Sequence, residues 1–413
     1  MRQNADRQQA RPARVSRAVR EFLATESAGA AALFAAALVA IVWANSPWSA
    51  GYNQLWSTAT RLSAGPVHLD MDLHQVVNDA LMAVFFFVVG LEIKRELVDG
   101  ELRDPRTAAL PAIAAAGGMV VPALLFVLIG AGTDFSHGWG IPMATDIAFA
   151  VGLLGLFGRG LPSGPRLFLL TLAIVDDIGA IAVIAIFYSS SIDAGALGWA
   201  VAGLAAVAVA WRLGVTTLWV HLPLALAVWY FTHESGVHAT IAGVALGLLT
   251  PVRNGERLVH RLHPFTSFAV VPLFALANAG VGIDTRALSS GSTARLAVAV
   301  VVGLVAGKLA GVVLFTRVAM AAGVGRLPEG MRQSHLVAVA GVAGIGFTVS
   351  LFVAELAFPA DRELVDAAKI GVLAASLIAA TLGALLLRRV QSVGGERGGA
   401  QRERRSRRRT TGA

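Results

Sequence analysis

The chain has 413 residues, of which 56% are hydrophobic and 15% charged, and its mean hydropathy is +0.67. A soluble domain, where about 45–50% apolar residues are usual, is excluded; so is a β-barrel, because the apolar residues form continuous runs rather than short alternating strands. There is no cysteine, so disulfides and thiol chemistry are excluded, and the net charge of +8 gathers at the two ends.

Residues 1–27 are expected to form a basic tail, with Arg2, Arg7, Arg11, Arg14, Arg17 and Arg20 set against Asp6. No small-residue cleavage site follows, and the run Gly29–Ala44 is long for the core of a signal peptide, so the tail reads as cytoplasmic. A transmembrane domain over 28–390 follows. A polar segment with aromatic residues, Asn45–Asp72, leads into a second span over about His74–Leu97. The third and fourth spans are predicted near Ala108–Gly130 and Trp139–Phe157, and the fifth over Thr171–Phe187. Spans six to nine fall near Leu197–Trp211, Leu218–Tyr230, Gly236–Thr250 and Phe265–Gly282. The last three fall near Leu296–Ala321, Ser334–Phe358 and Val365–Leu387. Residues 391–413, rich in Gly, Arg and Ser, are predicted to be a disordered basic tail.

The distribution of Lys and Arg predicts orientation. With the N-terminus inside, Lys94, Arg95, Arg103, Arg106, Arg159, Arg166, Arg212, Arg253, Arg257, Arg261, Arg317, Arg326 and Arg332 fall on cytoplasmic connections. Arg61, Arg286, Arg295, Arg362 and Lys369 fall outside. That asymmetry favours about twelve spans with both ends cytoplasmic. In this setting the basic tails face anionic lipid rather than nucleic acid.

The fifth span holds Asp176 and Asp177 side by side. One Asp at the centre of a lipid-embedded helix costs roughly 2.5–3.5 kcal/mol; two repel each other as well. Such a pair is expected to be a site for cations, protons or both, with Asp79 as a further acid in or near a span. Lys308 is equally costly and must snorkel, pair with a carboxylate or be neutral. Gly303, Gly307 and Gly311 beside it read as a close-packing face. Pro142, Thr145 and Asp146 weaken the fourth span, and Gly341, Gly344 and Gly346 the eleventh; paired interruptions of this kind mark transporter ion sites, although close packing also explains the glycines. Glu92 and Glu96 stand on one helix face beside Lys94 and Arg95, and read either as interfacial charge or as part of a mouth. His238, His260 and His263 sit near span boundaries and are either structural or pH-sensing.

The segments NDALMAVFFFVVGLEIKREL (78–97), IPMATDIAFA (141–150), LAIVDDIGAI (172–181), SGVHATIAG (235–243), PLFALANAGV (272–281), LPEG (327–330) and GIGFTVSLF (344–352) together resemble the NhaA-type sodium/proton antiporters, in order and across nearly the whole chain. The resemblance implies an all-α polytopic membrane protein of twelve transmembrane helices, with inverted-topology repeats and two interrupted helices that cross. It further implies Na⁺ or Li⁺ exchanged for H⁺ across a bacterial inner membrane, no cofactor and a homodimer, with Asn45–Asp72 as a contact. By motif, Asp177 is the principal ion carboxylate, Asp176 its neighbour paired with Lys308, and Asp146, with Thr145, offsets half-helix dipoles. Glu92, with the pH-sensing region, belongs to the cytoplasmic mouth. The chain departs from the family at Val259, where an acid is usual and Glu256 stands one turn earlier, and at Glu355, where a small polar residue is usual. Both departures bear on the pH response.

Three function classes are distinguishable. An intramembrane aspartyl protease places its two Asp on different helices, and no Gly-x-Gly-Asp segment occurs here. A channel requires rings of groups from several subunits. An exchanger requires carboxylates for which protons and a hard cation compete, and that is the expectation, with an exchanger or symporter of the same fold for another monovalent cation or small anion as the alternative.

Overall fold

The computed structural model describes the backbone of residues 28–410 except 65–66, 159, 190 and 283–290, and the side chains to residue 391 except 62–68. The predicted N-terminal tail, Arg159, Arg286 and the side chains of the C-terminal basic run lie outside these described residues. The described residues are helical almost throughout. Helix α1 (Ala28–Ala44) turns by 117° into a short helix α2 (Ser49–Trp56). The long spans are α3 (Leu73–Val98), α4 (Pro105–Ile129), α6 (Ser163–Phe187), α7 (Ala194–Arg212), α12 (Gly291–Ala321) and the Arg362–Gln391 part of the last helix, α15 (Arg362–Thr410). Between them lie α8 (Leu218–Glu234), α9 (Thr240–Leu249), α10 (Val252–Phe265) and α11 (Val271–Asn278), the last two joined by a π turn. Among the described residues, six helices can cross a membrane by length and composition, or nine with three bent pairs counted as spans.

Helix starts follow from local chemistry. The Asp104 side chain accepts from Arg106 N–H at 3.1 Å ahead of Pro105 at the first helical position, the place where a missing N–H costs nothing. The Asp193 side chain caps α7 through Ala196 N–H at 2.7 Å, and Asp72 with Gln75 forms a reciprocal cap on α3.

The segment Asn45–Asp72 is more structured than a polar connection. After α2, strands β1 (Ala59–Ala64) and β2 (Val67–Asp72) pair antiparallel, with Ala59 opposite Asp72 and Ala64 opposite Val67. The Tyr52 hydroxyl pins α2 to the helical body by donating to the carbonyls of Leu276 and Ala277.

Two spans are broken, as the Pro142 and Gly341–Gly346 clusters predict. The first consists of a 3-10 helix (Asp134–Met143), an extended Ala144–Asp146 piece and α5 (Ile147–Phe157), bent by 45°. The second consists of α13 (Gln333–Ala343), a break at Gly344–Gly346 and α14 (Phe347–Ala357), bent by 44°. Both are enclosed by α4, α6, α12 and α15, and the main core runs through this group. The pair α7–α8 stands to one side, with Trp199, Trp219 and Leu226 facing outward, as lipid-facing helices do.

The seam between α4 and α12 is built from backbone. A methyl group on Gly307 would sit 2.9 Å from Pro122 Cα, and one on Gly303 would sit 2.7 Å from Pro142 Cβ. Gly311 lies against the Gly117 carbonyl. The glycines of α12 are therefore a packing face, and Lys308 projects from it.

Candidate functional site

The charged residues of the interior come from three helices and one break. Asp176 and Asp177 sit at the middle of α6, both buried. Consecutive helix positions point about 100° apart, so the two carboxyls meet different surroundings. Asp176 is fully enclosed. Its Oδ2 lies 2.7 Å from Lys308 Nζ and accepts from the Thr145 hydroxyl at 2.6 Å. Lys308 Nζ also donates to the carbonyl of Met143, the last residue of the 3-10 helix. Of the three options open to a mid-span lysine, the structure shows pairing. Its stem runs along Gly118 of α4, where an added methyl would lie 3.7 Å from Lys308 Cδ and Cε.

Asp177 faces the other way. It lines a cavity of about 600 Å³ that is also bounded by Glu92, Arg95, Glu256, Val259, His260 and His263. Its Oδ1 is buried with no hydrogen-bond partner among the described residues. The cavity therefore leads from a charged mouth to the Asp177 carboxylate; the neighbouring Asp176 is met at Oδ2 by an ammonium and a hydroxyl, while its own Oδ1 is likewise buried with no hydrogen-bond partner among the described residues.

The broken spans meet beside this pair. Asp146 N–H donates to the Ile345 carbonyl at 2.7 Å, and the Thr145 hydroxyl lies 2.9 Å from the Ala343 carbonyl. The Ser350 hydroxyl donates to the Ile141 carbonyl at 2.8 Å. The Asp146 carboxylate caps two helices. Oδ1 accepts from Phe149 N–H at 3.0 Å at the start of α5, and Oδ2 accepts from Thr348 at the start of α14. An anion thus stands at two positive helix ends and the Lys308 cation at a negative one, the arrangement that helix dipoles favour.

Other expected residues lie apart from the pair. Glu96 faces a separate cavity of about 560 Å³ at the end of α3, where it sits 3.6 Å from Arg95 and accepts from Glu101 N–H. Asp79 is 3.7 Å from His233 of α8. His238 packs its ring 6.3 Å from Phe352, away from the cavity. Sequence reasoning did not find Thr348, Ser350 or the carbonyls of Met143, Ala343 and Ile345. The polar stretch Thr348–Ser350, one residue past the Gly344–Gly346 break, is the signal that could have found the first two.

Two broken helices crossing beside a buried carboxylate pair and a paired lysine, in an apolar helical body, define a polytopic membrane protein of the secondary-transporter class. The chain belongs to the family described as Na⁺/H⁺ antiporter 1, which matches residues 20–387. It is 46% identical to Na(+)/H(+) antiporter NhaA 3 of Frankia alni, over 91% of this chain and 89% of the relative. It is 48% identical to Na(+)/H(+) antiporter NhaA 1 of Saccharopolyspora erythraea, over 89% and 91% respectively. It is 47% identical to the NhaA antiporter of an Acidovorax species, over 87% and 88%.

Proposed function

We propose that this chain exchanges Na⁺ (or Li⁺) for H⁺ across the inner membrane of a bacterial cell, with Asp177 as the carboxylate for which the two cations compete. The observation that carries the reading is Asp177 lining the Glu92–His263 cavity, with its Oδ1 buried and without a donor among the described residues. A carboxylate oxygen suits a hard cation and binds a proton equally directly, so arrival of one releases the other. Asp176, held by Lys308 and Thr145, is the second proton acceptor: when it takes a proton, Lys308 loses its countercharge and the bond yields. More proton sites than cation charge makes the exchange electrogenic.

Asp146 supports the crossing by offsetting helix ends. Glu92, Glu256, His260 and His263 stand where ions enter, and their titration supplies the pH regulation; Glu256 takes the place of the acid absent at Val259. Counting α8, α9 and α10–α11 as further crossings gives twelve spans, and the Lys and Arg distribution puts both termini and the cavity mouth on the cytoplasmic side. A homodimer in contact through Asn45–Asp72 and anionic lipid at the basic tails complete the proposal.

The test is dissipation of a pH gradient in proteoliposomes, with Na⁺, Li⁺ and K⁺ added separately at several pH values. Saturable, Na⁺- or Li⁺-dependent dissipation is expected. Dissipation by K⁺ alone sinks the cation assignment in favour of the same-fold exchanger for another ion.

A further inference from the structure

A second polar cluster lies at the other end of α3. His74 is in its first turn and Glu92 near its last; at about 1.5 Å per residue the helix holds them roughly 27 Å apart. His74 is mostly buried, and each ring nitrogen has a partner. Nε2 lies 3.1 Å from Asn278 Oδ1 and 3.5 Å from Glu355 Oε1. Nδ1 lies 3.5 Å from Asn78 Nδ2, which also donates to Asn278 Oδ1 at 3.5 Å. Asn278 Nδ2 donates in turn to Asn78 Oδ1 at 2.8 Å and to the Phe274 carbonyl at 3.0 Å.

This set of bonds fits one protonation state. With His74 neutral and its proton on Nε2, Nδ1 accepts from Asn78, and both amides are satisfied. A second proton sets Nδ1–H against the Asn78 NH₂, donor facing donor. If Asn78 turns its amide to answer, its NH₂ faces that of Asn278; if Asn278 turns as well, it gives up the Phe274 carbonyl. One proton therefore runs through the contact between α3 and α11. Asn78 lies in a π turn, Val76–Leu81, a backbone form with slack to take up such a change.

The surroundings can hold the added charge. The charged and titratable groups near His74 are Asp72, which caps its helix, Asp79 on that helix, His233 from α8, Glu355 from α14 and, beyond it, Lys369 and Asp366 from α15. Tyr52 of α2 is the remaining titratable neighbour of Glu355, and its hydroxyl is engaged by two carbonyls. Glu355 is paired with Lys369 and faces His74 as well, so a charged His74 shares that carboxylate.

We propose that His74 is a second proton-binding site, on the face opposite the Asp177 cavity, and that its protonation unlocks α3 from α11 there. The proposal rests on the exchanger reading for its purpose, because the site lies where driving protons arrive from the far side, and uptake of one loosens the contact that closes that side.

Two measurements test it. In right-side-out vesicles, where the medium bathes the face opposite the cytoplasm, the rate ratio of His74→Gln to wild type is followed as medium pH runs from about 5 to 8; a change of about twofold or more is expected. A constant ratio overturns the proposal. The second measurement requires no transport: unfolding temperature against pH in detergent, for Asp177→Asn with and without His74→Gln. The gap between the two curves should vary with pH, and parallel curves overturn the proposal whatever becomes of the exchanger reading. If His74→Gln does not insert, Glu355→Gln carries both tests, since it removes the carboxylate that a charged His74 shares. Conversely, wild-type protein without Na⁺-coupled exchange sinks the exchanger reading and leaves the stability test standing.

Discussion

Asp146 Oδ2 accepts from both the backbone N–H of Thr348, at 3.1 Å, and its hydroxyl, at 2.7 Å. Since Oδ1 of the same carboxylate caps α5, two half-helices from distant parts of the chain begin on one side chain. Asp146→Asn leaves one acceptor oxygen where two are used and removes the charge from both helix ends. The variant is expected to insert and to lose roughly tenfold or more in turnover, about 1.4 kcal/mol of barrier. Unchanged cation affinity, pH profile and maximal rate in proteoliposomes would mean that the crossing does not depend on this charge.

Thr348→Val separates the two bonds. It deletes the hydroxyl and keeps the N–H, so one donor to Asp146 is lost. Loss of a buried hydrogen bond costs about 0.5–1.5 kcal/mol, and the unfolding temperature in detergent should fall by less than for Asp146→Ala. An equal fall for both would assign the whole contribution to Thr348.

Asp177→Asn keeps the volume of the side chain but neither titrates nor balances a cation. Coupled exchange should vanish while the purified protein stays folded, because the Asp176–Lys308 bond is untouched. Near-wild-type exchange by this variant would move the ion site elsewhere.

Lys308 and Asp176 are both fully enclosed, and removing one partner of such a pair costs roughly 3–5 kcal/mol. Lys308→Ala and Asp176→Ala should each lower thermal stability, and the double variant should lose clearly less than the sum. Additive losses, measured where the wild-type pair is charged, would show that the 2.7 Å contact carries no coupling.

Much of this site was legible in the sequence, because its members are expensive. Two acids and a lysine have no packing role in an apolar run, so Asp176, Asp177 and Lys308 stood out without any structure. The breaks at Pro142 and at Gly341–Gly346 were legible because proline and glycine weaken helices whatever surrounds them. The partners were not. That Met143, Ala343 and Ile345 supply carbonyls follows only from two breaks meeting in space, and a carbonyl has no letter in a sequence. The hairpin Ala59–Asp72 went unread because Pro66 and the scattered charges suggested a connection, although two six-residue segments flank Gly65–Pro66. The link between His74 and Glu355 joins ends of the chain that no local pattern relates.

Gly307→Ala tests the α4–α12 seam. The added methyl would lie 2.9 Å from Pro122 Cα, an atom that cannot rotate away, so one backbone must shift. A loss of about 1–3 kcal/mol is expected, read as a lower unfolding temperature, together with slower exchange because Lys308 adjoins the site. A variant as stable and active as wild type would mean that the helices already stand further apart.

That seam also limits how the protein can change shape. Side chains that interdigitate can swing to new rotamers and let one helix ratchet past another, but peptide against peptide has no such gearing. With Gly307 and Gly311 of α12 set against Pro122 and Gly117 of α4, a slide of even one residue would drive a bulky neighbour into a gap made for hydrogen. The lysine therefore travels with α4 as a single lever arm, and any swing that alternates access must find its hinge outside this pair.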